Sequence, residues 1–156
     1  MLVFYHGGVF VIESAFTPLY HAYLNGVAAK ARVVAVSMEY RLASEHRLPT
    51  AYDDSWQALN WVARNAASGP EPWLRDRGNL SRLFVARDST GANIAHHAVR
   101  RWTTAYVASS SSVPRSSPFR LAGVVLVQPY LGGEERTDAE ARLDGKVPMV
   151  TVRGSD

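Results

Sequence analysis

A chain of 156 residues with 47% apolar content can form one folded domain or part of one, which excludes intrinsic disorder. Its net charge of +3 comes from scattered basic residues, of which only Arg100 and Arg101 are adjacent, so no nucleic-acid-binding stripe is present. The absence of cysteine excludes disulfides, thiolate metal sites and a cysteine nucleophile.

Residues 2–5 form a continuous apolar run that stops at His6-Gly7-Gly8, as a buried parallel strand does when it enters a loop. Pro18 suits the first turn of a helix with Thr17 as its N-cap, and Leu19, Tyr20, Tyr23, Leu24 and Val27 follow at helical spacing. Residues 32–38 read as a second buried strand, and residues 40–49 are irregular. Asp53 and Asp54 precede Trp56, Leu59, Trp61 and Val62, which predicts a capped helix over about 54–66. The adjacent carboxylates read as caps rather than as a metal pair. The two tryptophans read as core packing.

Gly69-Pro70-Glu71-Pro72 ends that helix. Residues 83–86 read as a third strand, followed by a helix that starts near Gly91 and runs to about residue 103. Residues 108–118 are Ser/Pro-rich without periodicity and are predicted as a surface loop. Residues 121–127 and 148–152 read as the fourth and fifth strands. Strands alternating with helices predict an α/β fold of about five mostly parallel strands flanked by helices.

No apolar run approaches the ~20 residues of a membrane span. Met1-Leu2-Val3-Phe4 has neither the length nor the basic region of a signal peptide. The expectation is a soluble cytoplasmic or nuclear protein with no membrane or nucleic-acid partner, with no cofactor and no metal. Because the chain starts on a strand and stops on the loop after one, residues 1–156 are expected to be a partial domain with unpaired strand edges.

Arg87-Asp88-Ser89-Thr90-Gly91 carries the most chemistry. A serine at a sharp strand-to-helix turn is the nucleophile elbow, usually G-x-S-x-G, and here Arg87 stands in place of the first glycine. Acyl transfer also needs amides for an oxyanion, and a base with a group to orient it. His6-Gly7-Gly8-Val9 follows the first strand, where glycines let the backbone turn and present N–H groups to an anion. An elbow two strands later makes this loop the natural complement to the N–H that follows the nucleophile.

Longer stretches point to a family. They are Phe4-Tyr5-His6-Gly7-Gly8-Val9-Phe10, Glu39-Tyr40-Arg41-Leu42-Ala43-Ser44-Glu45-His46, Ala51-Tyr52-Asp53-Asp54-Ser55-Trp56, Asp88-Ser89-Thr90-Gly91-Ala92-Asn93-Ile94-Ala95-His96 and Gly132-Gly133-Glu134-Glu135-Arg136-Thr137. Through them the chain resembles plant carboxylesterases of the hormone-sensitive-lipase-like branch of the α/β-hydrolases, the branch that also gave rise to gibberellin receptors. The resemblance implies a truncated α/β-hydrolase. The family sheet has two more strands before Leu2 and one more after Asp156, with an N-terminal cap over the pocket. It implies Ser89 as nucleophile, the amides of Gly8, Val9 and Thr90 as oxyanion donors, and Asp156 as the triad acid. His6, Gly7, Asp88 and Gly91 complete the motifs.

The chain departs from the family where Val9 and Arg87 replace glycines. A β-branched residue restricts how the Val9 N–H can be aimed. Arg87 either overpacks the backbone around it or swings toward the pocket to meet Asp88 or a substrate carboxylate. Ser44 and Arg47 replace prolines, and the connector between Arg142 and Val147 is shorter than in the family. The family's triad histidine lies beyond Asp156, and His6, His21, His46, His96 and His97 all precede it. His96 and His97 sit about two helical turns, ~11 Å, from Ser89. Glu39, Arg41 and Glu45 read either as a buried ion network or as a partly exposed one.

The expected function is a serine carboxylesterase of small acyl esters, inactive or weakly active as 156 residues. The alternatives are a non-catalytic binder of a hormone-like small ligand and a nonfunctional fragment. No partner protein is assigned.

Overall fold

The computed structural model describes residues 1–106, 117–131 and 138–143. Four parallel strands form one sheet in the order β2-β1-β3-β4: β1 is Leu2–Tyr5, β2 Ala35–Met38, β3 Leu83–Asp88 and β4 Leu121–Val127. The predicted α/β architecture is present. The predicted fifth strand at 148–152, the tip of the 108–118 loop, residues 132–137 and Asp156 lie outside the described residues.

Alternation along the strands assigns the two faces. Val3, Tyr5, Leu83 and Val85 join one buried cluster with Leu59, Val62, Ile94 and Ala95 from α2 (Thr50–Ser68) and α4 (Ser89–Tyr106). Phe4 faces the other side, where Tyr20 and Tyr23 of α1 (Pro18–Ala31) pack on it at 5.8 Å between ring centroids. Two short helices, α3 (Pro72–Arg77) and α5 (Asp138–Leu143), and a 3₁₀ turn at Leu80–Arg82 complete the described chain.

Local chemistry accounts for the helix ends. Pro18 occupies the first turn of α1 and Thr17 its N-cap as predicted, but the Thr17 hydroxyl donates to the Ser14 carbonyl (2.9 Å) instead of capping. Helix α2 starts at Thr50, four residues before the predicted start, because Pro49 supplies its entry. Asp53 and Asp54 are therefore not caps. Asp54 accepts a bidentate pair from Arg41 (2.9 and 2.7 Å), and Asp53 accepts from Arg101 (2.8 Å). The Arg41 guanidinium, with its backbone N–H adding to the effect, holds the Asp54 carboxyl below its ordinary pKa despite partial burial. Trp56 packs against the core, with Arg101 over its ring. Trp61 is exposed, contrary to its predicted core role.

Both outer strands are open among the described residues. Strand β2 pairs only with β1, and β4 only with β3. Strand β4 carries Val124, Val125, Leu126 and Val127, all exposed, and exposed Trp61 and Trp73 line the trough beside β2. Open apolar edges template association. The 156-residue chain is expected to show light scattering that rises with concentration, and Val125→Lys on β4 is expected to reduce it without lowering the melting temperature. A monodisperse monomer with a cooperative melt at high concentration would contradict this.

Candidate active site

Strand β3 ends at Asp88 and α4 begins at the next residue, Ser89. To make that turn Ser89 adopts a left-handed backbone with φ of 48°. A non-glycine residue held there costs about 1–3 kcal/mol, a strain that clusters at functional sites. The Ser89 carbonyl accepts from the Tyr130 N–H (3.1 Å), which ties the elbow to the segment after β4. Asn93, one turn further on, donates to the Tyr130 carbonyl (2.9 Å).

The glycine loop lies against this turn. A Cβ on Gly7 would sit 3.3 Å from the Ser89 Cβ and 2.9 Å from the Tyr20 hydroxyl. A Cβ on Gly91 would run into the carbonyl oxygens of Tyr5 and His6. The end of β1 and the first turn of α4 approach this closely because one partner in each contact, Gly7 or Gly91, carries no side chain. The loop then bends through Gly8, Val9 and Phe10, with φ of 114°, 48° and 65°. Val9 thus occupies a left-handed conformation that is hard on a β-branched side chain.

Aromatic hydroxyls hold the loop. Tyr40 donates to the carbonyls of His6 (2.8 Å) and Gly7 (3.3 Å), and its ring stacks on His6 at 4.3 Å. The Gly7 N–H donates to the Tyr20 hydroxyl (3.0 Å), which donates to Asp88 Oδ2 (3.0 Å). His6 Nδ1 donates to the Gly7 carbonyl (2.7 Å), and Nε2 lies 3.8 Å from Glu39 Oε2. Glu39 braces the far end of the loop, accepting from the Ala15 N–H (2.6 Å) and the Ser14 hydroxyl (3.0 Å). Glu39 and Arg41 thus belong to separate contacts, since Arg41 pairs with Asp54 on the surface.

Arg87 turns inward. It is 1% exposed, its guanidinium lies 5.0 Å above the Tyr5 ring, and Nη1 donates to the Gly91 carbonyl at 3.4 Å. Desolvation pulls its pKa down to about 9, against the opposing fields of Tyr5 and Asp88. The group still carries its charge at pH 7. Nε and Nη2 have no partner among the described residues. Asp88 Oδ1 likewise lacks a hydrogen-bond partner among the described residues, and His6 Nε2 has only the 3.8 Å contact with Glu39, so these under-satisfied buried atoms lie around this elbow. Buried polar groups are elsewhere paired almost without exception, and exceptions gather where function or strain keeps them.

The structure brings His6, Gly7, Gly8, Val9, Asp88, Ser89, Thr90 and Gly91 into one region at the C-terminal edge of the central strands. Asp156 lies outside the described residues. The other histidines sit elsewhere: His21, His46 and His96 are exposed, and His97 stacks on Tyr52 at 4.0 Å. Tyr20 and Tyr40 escaped the sequence reading as site residues. Their partners lie 13 to 68 positions away, beyond any local pattern.

The profile of the family described as "alpha/beta hydrolase fold" matches residues 2–156. The chain belongs to this family. It is 42% identical to probable carboxylesterase 13 of Arabidopsis thaliana over 92% of this chain and 43% of that protein. It is 44% identical to a 2-hydroxyisoflavanone dehydratase of Glycyrrhiza echinata over 86% of this chain and 40% of that protein. An esterase from Pyrobaculum calidifontis superposes with a TM-score of 0.67 at 28% identity, covering 92% of this chain and 41% of that structure. The chain thus spans less than half the length of these relatives. This α/β-hydrolase is carboxylesterase-like, and no described helix is long and apolar enough to cross a membrane.

Two substitutions separate the roles of Gly91 and Arg87. Gly91→Ala is expected to lower unfolding free energy by about 1–3 kcal/mol, because the new methyl meets fixed backbone oxygens. Arg87→Met fills the same space without an unpaired charge and is expected to raise it by about 1–4 kcal/mol. Denaturant melts of the three chains measure both signs.

Proposed function

We propose that these residues form the nucleophile and oxyanion half of a serine carboxylesterase acting on small acyl esters. The observation that supports it most is the strained Ser89, at φ of 48°, set against a glycine loop in which a Cβ on Gly7 would stand only 3.3 Å from the Ser89 Cβ. Ser89 Oγ attacks the acyl carbon, and the π pair of the carbonyl moves onto its oxygen. The amides of Gly8, Val9 and Thr90 stabilise that charge, because donors fixed before the reaction cost no reorganisation during it. The Ser89 hydroxyl proton passes to a general base as Oγ attacks, and collapse breaks the C–O bond to the leaving alkoxide, which takes that proton and departs as the alcohol, leaving Ser89 acylated. Asp156 is the proposed orienter of the base.

The base sets the rate. A general base must reach the serine hydroxyl to about 3 Å. His6 is held to the Gly7 carbonyl and stacked under Tyr40, and in this reading it shapes the loop and takes no proton. The 156 residues then trap a reactive electrophile once, far better than they turn over an ester.

A fluorophosphonate separates trapping from turnover, since Oγ–P forms as P–F breaks, the serine proton is lost to solvent water, and the leaving fluoride needs no general acid, so the step is slow but completes once. Labelling is expected on Ser89, abolished by Ser89→Ala, with hydrolysis of a short-chain nitrophenyl ester near the uncatalysed rate. An unlabelled Ser89 would overturn the nucleophile assignment. Ser89-dependent multiple turnover would overturn the weak-activity reading.

A further inference from the structure

We propose that Tyr20 is a positioning residue whose single hydroxyl couples the oxyanion loop to the nucleophile elbow. The inference rests on reading the loop and Ser89 as the oxyanion and nucleophile parts of one site.

The geometry is a relay of two hydrogen bonds running one way. The Gly7 amide donates to the phenol at 3.0 Å, and the phenol donates to Asp88 Oδ2 at 3.0 Å. A phenol offers one donor, and its oxygen accepts. Both capacities are used here, between residues far apart in sequence. The carboxylate end makes the O–H bond charge-assisted, and a polarised hydroxyl is the better acceptor for the amide. Burial, opposed by the Gly7 amide and reinforced by the Asp88 charge and hydrogen bond, raises the Tyr20 pKa to about 12. The phenol therefore keeps its proton, and with it the donor arm, at any working pH.

Each end of the relay touches the reacting machinery at one remove. Gly7 N–H belongs to the His6–Gly7 peptide, directly before the peptides that carry the Gly8 and Val9 amides, so fixing it anchors the backbone from which those amides follow. Asp88 immediately precedes Ser89. The phenol comes so near Gly7 because that residue has no Cβ, the same absence that admits Ser89. Thus α1, which supplies no reacting group, holds the two halves at one spacing. The Tyr20 ring has separate packing duties, against Phe4 at 5.8 Å and His6 at 5.9 Å, and a phenylalanine would keep them.

That division makes the test. The full chain, Tyr20→Phe, Asp88→Asn and the control Tyr23→Phe are compared by peptide-resolved amide hydrogen exchange over residues 6–12 and by saturation kinetics of fluorophosphonate labelling. Tyr23 also packs on Phe4, so its variant reports a change confined to α1 packing. Tyr20→Phe is expected to speed exchange in residues 6–10 about tenfold, the scale of one lost hydrogen bond. Its limiting labelling rate is expected to fall about tenfold with the half-saturating probe concentration unchanged. Asp88→Asn is expected to give a smaller rise in exchange, and Tyr23→Phe none. Exchange at the wild-type rate in Tyr20→Phe, or the same rise in Tyr23→Phe, would overturn the proposal. Wild-type protection in Asp88→Asn would overturn the link to the elbow. If wild-type Ser89 takes no label, the nucleophile reading fails by itself, and exchange still decides the relay.

Discussion

The structure depends on one close approach, between the end of β1 and the first turn of α4. Gly91 abuts the backbone carbonyl oxygens of Tyr5 and His6, and Gly7 abuts the Cβ of Ser89. Two missing side chains set the depth at which α4 docks on the sheet. That depth fixes the turn that puts Ser89 in a left-handed conformation, and the turn leaves the serine at the sheet edge rather than within it. The same approach brings the glycine loop over the serine. Elbow and loop are consequences of one packing constraint more than separate features.

Strain introduced by this arrangement is balanced by bonds from three directions. Tyr40 reaches the loop carbonyls, Tyr20 reaches the loop amide, and Glu39 anchors the exit of the loop. Val9 and Phe10 stay in left-handed conformations because the backbone on both sides is pinned. Arg87 is the exception to this economy. Its guanidinium rests on the Tyr5 ring and reaches the Gly91 carbonyl, so it leans on the very contact that sets the docking depth. The ring and one long hydrogen bond offset part of its desolvation, and two of its nitrogens have no hydrogen-bond partner among the described residues.

Much of this was legible in the sequence, and the rest failed for identifiable reasons. The strands were readable because each is a short apolar run closed by a turn, and the glycine loop because two adjacent glycines follow such a run. The elbow was readable from Ser89 and Gly91 alone, despite Arg87. Reading the Asp53-Asp54 pair as caps failed because carboxylates near a helix start look alike whether they cap or pair. Their partners, Arg41 and Arg101, are 13 and 48 residues away. Trp61 at a helical spacing looked like core, yet the strand edge beside it is uncovered among the described residues. At Arg87 the sequence alone implies either overpacking of the backbone or a reach for the pocket. The side chain does neither fully, because the Tyr5 ring gives its guanidinium an inward resting place that only tertiary structure reveals.

The two non-glycine replacements bear differently on chemistry. At position 9 the reaction would use the backbone N–H, which valine retains, so the replacement costs conformational energy and leaves the functional atom in place. At position 87 no proposed reacting atom is at stake, yet the replacement puts a charge beneath the turn that carries Ser89. A buried cation near Ser89 would favour a developing oxyanion, while its desolvation penalty acts on the folded state as a whole. Stability and reactivity at this elbow are therefore opposed through one side chain. Neutralising Arg87 relieves the fold and removes a favourable field from the same turn, whereas the Tyr20 relay acts on geometry alone and carries no such trade.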